Sequence, residues 1–241
     1  MDTFRQIADN VSTVWTKISD AVIRSGRTSD SVTLVAVSKY VKKDDDAMNA
    51  LLAAKCYDLG ESRPQMLIEK AEYFSEHQSK IHWHQIGSLQ KNKVRKLLPH
   101  VSLIHSIGST ELLETINRIA NEEALPPVHG LLEINISGDA TKQGFSPQMV
   151  IEVLETVSKL RHIQIDGLMC MSGFSSTDDK RCKEFAATRQ LAEKLIPFCP
   201  DNCRMAELSM GMSDDFPLAI QEGATIVRVG SLLFDNVILG I

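Results

Sequence analysis

Lys39 is the first residue whose type and position suggest chemistry. It stands at the end of the apolar run TLVAV, which favours a buried strand, so its amine is expected to emerge from the strand above apolar side chains. Partial desolvation lowers the pKa of a lysine and makes the amine a nucleophile that can form a Schiff base with a carbonyl. On position alone, a solvated lysine at a strand end is the alternative.

Two turns rich in small residues, near the end of the chain, are suited to binding an anion. They are SMGMSDD at residues 209–215 and RVGS at residues 228–231. Glycine permits close backbone approach, and hydroxyls and backbone amides attract negative charge. Asp214 and Asp215 would repel a phosphate, so we expect both side chains to face away from it. Each turn taken singly is also typical of an ordinary strand-to-helix connection.

A lysine beside two such turns suggests pyridoxal 5′-phosphate, whose aldehyde would react with Lys39 and whose phosphate would lie in the turns. Arg228 agrees with this hypothesis, because an arginine there can donate to the pyridine nitrogen. An arginine partner stays protonated and weakens the ring as an electron sink, compared with an aspartate. An ion pair between Arg228 and a carboxylate is the alternative.

The elements must bring Lys39 close to residues 209–231. Apolar, β-branched segments predict eight strands, with segments of helical period between them and an amphipathic helix at about residues 2–25. The strands are predicted near residues 33–38, 56–60, 82–87, 102–107, 128–136, 163–171, 205–210 and 225–230. The helices are predicted near residues 44–54, 63–77, 90–98, 109–123, 146–159, 178–196 and 214–222.

This alternation implies parallel strands joined by right-handed crossovers. It favours an α/β fold, a single (β/α)8 TIM barrel with an extra N-terminal helix, forming one domain over residues 1–241. A doubly wound open sheet is the alternative. In the barrel the eighth strand pairs with the first, which places both turns beside Lys39. Because barrel sites lie at the C-terminal ends of strands, Glu61, Gly87, Ser88, Asn135, Ser137, Met169 and Met171 are further candidates.

Several motifs resemble those of the pyridoxal phosphate homeostasis proteins. The matching stretches, from about residue 32 to residue 231, are VAVSK, DLGES, WHQIGSLQKNK, IHSIGS, INIS followed by KQG, GLMCM, LSMGMSDD and VRVGS. The segment WHQIGSLQKNK at residues 83–93 is the most specific of them. A departure follows the second strand, where Ser62 and Arg63 replace an asparagine and an aromatic residue that are usual in the family.

The resemblance implies a barrel like the N-terminal domain of alanine racemase, of pyridoxal phosphate fold type III, with the cofactor as a Schiff base on Lys39. It implies Ser209, Gly230 and Ser231 at the phosphate and Arg228 at the ring nitrogen. The other residues that it places in or near the cofactor site are Met212, Ser213, Asn135, Met169 and Met171.

The resemblance also implies a role in intracellular pyridoxal phosphate homeostasis, by storage, buffering or delivery to pyridoxal phosphate-dependent apoenzymes, without catalysis. Racemisation takes two groups on opposite faces of the substrate. Lys39 is one candidate, whereas Tyr40 is expected to point to the other face of its strand. A pyridoxal phosphate-dependent amino-acid racemase and a regulatory interaction module are the alternatives.

Composition and charge limit the classes of molecule that this protein is expected to bind. The net charge of −5 gives no general attraction to nucleic acid or to anionic membranes. The chain has no apolar run long enough for a membrane span and no signal-peptide pattern, so we expect a cytoplasmic protein. We also expect a monomer. Five cysteines favour reduced thiols. His82 and His84 alternate on a strand and are interpreted as hydrogen-bonded histidines rather than zinc ligands, so no metal is expected.

Overall fold

The structure is a computed structural model that describes residues 2–28, 30–77, 80–139, 143–173 and 176–238. Over these ranges, eight parallel strands pair in chain order, and the eighth pairs with the first to close a barrel. The strands are β1 (Thr33–Val37), β2 (Asp58–Glu61), β3 (His82–Gln85), β4 (Leu103–Ile107), β5 (Val128–Ile134), β6 (Ile163–Cys170), β7 (Cys203–Ser209) and β8 (Ile226–Val229). The barrel prediction is confirmed, and the open sheet is wrong.

Helices surround the barrel. They are α1 (Thr3–Arg24), α2 (Asp46–Ala53), α3 (Pro64–Tyr73), α4 (Val94–Leu97), α5 (Thr110–Glu122), α6 (Val150–Val157), α7 (Asp178–Leu195) and α8 (Phe216–Gln221). The helix predicted at residues 90–98 is instead a short α4 between two 3-10 turns, Lys91–Lys93 and Leu98–His100. Pro99 lies in the second turn and lacks the N–H that would continue an α-helical ladder.

The extra N-terminal helix is present and begins at a side-chain cap, because Asp2 accepts a hydrogen bond from the backbone N–H of Phe4. Apolar residues at intervals of three or four form one buried stripe along α1, which packs on α2 and α8. The stripe consists of Ile7, Val11, Val14, Ile18, Ala21 and Val22. Across the described residues, no helix is both long and apolar enough to span a bilayer.

The barrel has two cores of different character. A large apolar core lies between the strands and the helices. Inside the barrel there is a small apolar cluster of Val35, Leu103, Leu131, Met169 and Ile226, against which Ile86 packs. The barrel interior also contains buried polar side chains, which extend to the end of the barrel formed by the C-terminal ends of the strands. That end holds the candidate site.

Candidate cofactor site

A cavity of about 360 Å³ opens at the C-terminal ends of the strands. This volume lies within the range of small-molecule sites. Of the ten residues that the resemblance places in or near the cofactor site, the cavity wall includes seven: Lys39, Met171, Met212, Ser213, Arg228, Gly230 and Ser231. It also includes Gly87 and Ser88, which were candidates from their position at the end of a strand. Closure of the barrel therefore brings the lysine together with residues from both small-residue turns, although almost 200 positions separate them along the chain.

The other three predicted residues are not in the wall of this cavity. Ser209 is completely buried inside the barrel, below Arg228. Met169 belongs to the inner apolar cluster. Asn135 lies in the loop after β5, where its side-chain amide donates to the carbonyl of Asp139 over 2.8 Å. Of these three residues, Ser209 acts on the cavity through its hydrogen bond with Arg228.

The two small-residue turns are joined directly. The backbone N–H of Gly230 donates to the hydroxyl oxygen of Ser213 over 3.2 Å, and the N–H of Arg228 donates to the carbonyl of Gly211 over 3.0 Å. Gly211 has a φ of 91°, which favours glycine. Because Ser213 accepts from Gly230, its own hydroxyl hydrogen is free to donate to an anion.

The prediction that both acidic residues of the first turn face away from the site is half right. Asp215 is buried and accepts hydrogen bonds of 2.7 Å from the backbone N–H of Met212 and from the Ser172 hydroxyl. For Asp214 the prediction is wrong, because its side chain is exposed and lines the cavity. The helix begins only at Phe216, so Asp214 still belongs to the turn. Its carboxylate is solvated, which screens it from charges in the cavity.

Arg228 lines the cavity although its side chain is almost completely buried. One guanidinium nitrogen, Nη1, donates to the hydroxyl of Ser209 over 2.6 Å, and Nη2 donates to the carbonyl of Cys170 over 3.0 Å. Burial lowers the pKa of Arg228, and nearby Cys170 and Asp215 oppose that shift. Among the described residues no carboxylate forms an ion pair with this arginine, so the ion-pair alternative is wrong.

The lysine lies beside an aromatic ring. Lys39 is half-buried, and its Nζ lies 4.8 Å from the centroid of the Tyr40 ring. Tyr40 also lines the cavity, so the prediction that it points to the other face of its strand is wrong. The strand β1 ends at Val37, and side-chain alternation no longer applies in the turn that follows.

Comparisons with known proteins identify the family. The family model for the alanine racemase N-terminal domain matches residues 21–236. A pyridoxal phosphate homeostasis protein from Vibrio cholerae is 34% identical over 232 residues, which cover 95% of this chain and 96% of that protein. The chain belongs to the alanine racemase N-terminal domain family and, within it, to the pyridoxal phosphate homeostasis proteins.

Solved structures agree with this assignment to the homeostasis family. The crystal structure of an unknown protein from Bifidobacterium adolescentis has a TM-score of 0.89 and 34% sequence identity, covering 97% of each chain. The structure of PipY from Synechococcus elongatus with PLP bound has a TM-score of 0.81 and 34% identity, covering 95% of this chain and 99% of PipY. The resemblance inferred from the motifs is therefore confirmed along nearly the whole chain.

In this member of the homeostasis family, Glu133 is a site residue that sequence reasoning missed. Its side chain is buried and lines the cavity. Burial raises the pKa of Glu133, while the positive charge of Arg228 acts to lower it. The signal was available, because alternation from Leu131 on β5 places Glu133 on the inner face, and a lone acid in the run LLEI is unusual.

Glu61 lies outside the cavity, contrary to the expectation from the end of β2. Its side chain is completely buried between the barrel and α3, where it forms an ion pair with Lys70. Lys70 also donates to the carbonyl of Ser38 over 2.8 Å and contacts its hydroxyl at 3.2 Å. In this family member the residue before Lys39 is thus held by a buried ion pair behind the site.

Proposed function

We propose that this protein binds pyridoxal 5′-phosphate covalently through Lys39 and acts in its homeostasis, by storing, buffering or delivering it. The observation that carries the proposal is that Lys39, Ser213, Arg228 and Gly230 line one and the same cavity. The name of the Vibrio cholerae relative and the PLP-bound structure of PipY support the same ligand.

The residues of the cavity fit the chemical groups of the cofactor. When bound, pyridoxal phosphate supplies an aldehyde, which reacts with a primary amine with loss of water. Ser213, Gly230 and Ser231 offer small side chains and hydroxyl donors for its phosphate. A Cβ at Gly230 would lie 3.3 Å from Cβ of Val37, so a side chain at this position would crowd the wall. Arg228 retains N–H groups for the ring nitrogen.

Under this proposal, catalysis is not the main role of the protein. Racemisation requires proton donors or acceptors on two opposite faces of a substrate. The relatives from Vibrio cholerae and Escherichia coli are named for pyridoxal phosphate homeostasis and not for a reaction. One observation favours a racemase as the second candidate, because Tyr40 lies on the cavity wall beside Lys39. Conversion of L-alanine to D-alanine at turnover rates, with uptake of deuterium at the α-carbon in heavy water, would establish the racemase and overturn the proposal that catalysis is not the main role.

The first test is covalent attachment. We expect the purified protein mixed with pyridoxal phosphate to show a visible absorption band, and borohydride reduction to add the cofactor mass to the peptide that carries Lys39. The Lys39→Ala variant is expected to lose both signals, since it lacks the amine. Lys42→Ala is the matched control, because Lys42 is exposed and lies three positions further along the same turn. Full adduct formation by Lys39→Ala, or its loss in Lys42→Ala, would contradict the proposal.

The second test concerns delivery. We propose pyridoxal phosphate-dependent apoenzymes as the partners. Protein loaded with the cofactor is expected to restore activity to such an apoenzyme when free pyridoxal phosphate is removed by an excess of an amine trap. Lys39→Ala is expected to restore none. If an equal amount of free cofactor, trapped in the same way, restores activity equally well, delivery by this protein is excluded and storage or buffering remains.

We further propose that residues 1–241 form one domain that acts as a monomer in the cytoplasm. The five free cysteines, Cys56, Cys170, Cys182, Cys199 and Cys203, support a reducing compartment. A mass by light scattering near the 26.7 kDa of one chain would agree with the monomer, and twice that mass would overturn it. Cell fractionation tests the location.

A further inference from the structure

A chain of hydrogen-bonded side chains crosses the barrel interior and ends at Arg228. Asp58 Oδ1 lies 3.2 Å from His84 Nε2, His84 Nδ1 lies 2.9 Å from His105 Nε2, and His105 Nδ1 lies 2.7 Å from the Ser209 hydroxyl. Arg228 Nη1 donates to the same hydroxyl over 2.6 Å. We call the series Asp58, His84, His105 and Ser209 the relay.

The relay joins the two ends of the barrel. Asp58 is the first residue of β2 and lines an opening formed by the first residues of several strands, including Thr33 and Ile226. Arg228 lines the cavity at the opposite end. The connecting residues come from β3, β4 and β7, and His84, His105 and Ser209 are all buried. The arginine of the proposed cofactor site is therefore linked to the far end of the barrel through uninterrupted polar contacts.

The order of donors and acceptors follows from the ends of the relay. Burial acts to raise the pKa of Asp58, but hydrogen bonds from His84 and His82 outweigh it, so the pKa is lowered and the carboxylate only accepts. At the other end, the Arg228 guanidinium only donates. Burial, with contributions from His84 and Arg228, holds the pKa of His105 well below its ordinary value, so this imidazole is neutral.

One arrangement gives every hydrogen in the relay an acceptor. Arg228 donates to Ser209, the Ser209 hydroxyl donates to Nδ1 of His105, and Nε2–H of His105 donates to Nδ1 of His84. Nε2–H of His84 then donates to Asp58. If His105 carried its hydrogen on Nδ1 instead, the Ser209 oxygen would accept two hydrogen bonds and its own hydrogen would lose the acceptor that His105 provides.

Arg228 is held by neutral acceptors, the Ser209 hydroxyl and the Cys170 carbonyl. The carboxylate that terminates the relay lies three hydrogen bonds beyond Ser209. Among the described residues, the guanidinium is therefore fixed in orientation without a carboxylate bound directly to it, and the charges of Asp215 and Glu133 act on it only at a distance.

We propose that Asp58, His84 and His105 are positioning residues, which fix the Ser209 hydroxyl as an acceptor for Arg228 and so aim the arginine at the ring nitrogen of pyridoxal phosphate. The aim at the ring rests on the proposed function. The relay itself is a property of the protein without its ligand, so the two can be tested separately.

The relay is tested first by nitrogen-15 NMR of the histidine rings in the ligand-free protein. Both His84 and His105 are expected to carry hydrogen on Nε2 and none on Nδ1 near neutral pH. The Nδ1–H form or the doubly protonated form of His105 would overturn the relay, whether or not the protein binds pyridoxal phosphate.

The effect on the site is tested with a remote variant and a matched control. Asp58→Asn weakens the last hydrogen bond of the relay at the end of the barrel opposite the cavity. Asp166→Asn is the control, because Asp166 lines the same opening and hydrogen-bonds His129 and Arg204, outside the relay. We expect Asp58→Asn to shift the visible band of bound pyridoxal phosphate and Asp166→Asn to leave it unchanged. Equal spectra for the two variants would overturn the positioning role.

A variant within the relay measures how strongly the relay affects the dissociation rate of pyridoxal phosphate. His105→Leu removes the acceptor of the Ser209 hydroxyl, and we expect pyridoxal phosphate to dissociate about tenfold faster, which lies within the range for loss of one hydrogen bond. His105→Gln keeps an acceptor and is expected to restore part of the loss. Wild-type dissociation by His105→Leu would overturn the proposal. Failure of the wild type to bind the cofactor would overturn the proposed function and with it the aim of Arg228 at the ring. The relay itself would stand or fall on the NMR result.

Discussion

At the residue scale, a buried lysine organises the backbone that carries Lys39. Lys70 is completely buried, and burial lowers its pKa while the charge of Glu61 acts to raise it. Its ammonium binds the Glu61 carboxylate and the carbonyl of Ser38, the residue directly before Lys39. The direction in which Lys39 leaves β1 therefore depends on an ion pair outside the barrel.

Removing one partner of this ion pair is expected to be costly. Lys70→Met leaves the Glu61 carboxylate buried without its counter-charge, so we expect the free energy of unfolding in urea to fall by about 3–5 kcal/mol. In the double variant Lys70→Met with Glu61→Leu, both charges are replaced by apolar groups, and most of that stability is expected to return. A double variant as unstable as Lys70→Met would show that the cost comes from packing and not from the unpaired charge.

At the element scale, the turn between β7 and α8 depends on a glycine. Gly211 has a φ of 91°, and a Cβ there would lie 2.7 Å from Cβ of Ala219 and 2.8 Å from Cα of Phe216. We expect Gly211→Ala to lower the free energy of unfolding by about 1–3 kcal/mol through backbone strain, with a further loss from the contacts.

A second glycine provides the control for this turn. Gly138 also has a positive φ, 70°, but a Cβ there would meet nothing within 4 Å. Gly138→Ala therefore tests strain alone, and thermal unfolding of both variants separates strain from crowding. Equal losses of stability in the two variants would contradict the expected steric crowding at Gly211. The Gly211→Ala variant is also expected to bind pyridoxal phosphate more weakly, because the carbonyl of Gly211 accepts a hydrogen bond from the backbone N–H of Arg228.

The elements could be predicted from the sequence, whereas several side-chain positions could not. Segments rich in apolar and β-branched residues were sufficient to predict all eight strands, although β2, β3 and β7 also contain polar or exposed residues. Tyr40 and Glu61 were misplaced because side-chain direction at a strand end depends on where the strand stops. Ser209 was expected at the phosphate, but its partner His105 is 104 residues away, a contact that no local pattern reveals.

At the scale of the whole molecule, the barrel interior combines a small apolar cluster with the relay. Inside the barrel, His105 is surrounded by protein and has a pKa well below 6.5, because burial disfavours its charged form. In the unfolded chain the same histidine is solvated and has an ordinary pKa. The difference makes the stability of the whole barrel dependent on pH.

The sign of this dependence follows from proton binding. Below about pH 6.5 the unfolded chain binds a proton on His105 that the folded protein does not, so acid favours unfolding. The stabilisation is fully present above the unfolded pKa and is lost as the pH falls from there towards the folded pKa. We expect His105 alone to lower the free energy of unfolding by about 1.4 kcal/mol for each unit that the pH falls in that window.

Glu133 acts with the opposite sign nearer pH 4.5, because its pKa is raised in the folded protein. Urea unfolding between pH 5 and 7 measures the slope, and the difference between wild type and His105→Gln isolates the histidine, because the other titrating groups are common to both. Parallel pH profiles would show that His105 is charged inside the folded barrel, in conflict with the neutral ring that the relay requires.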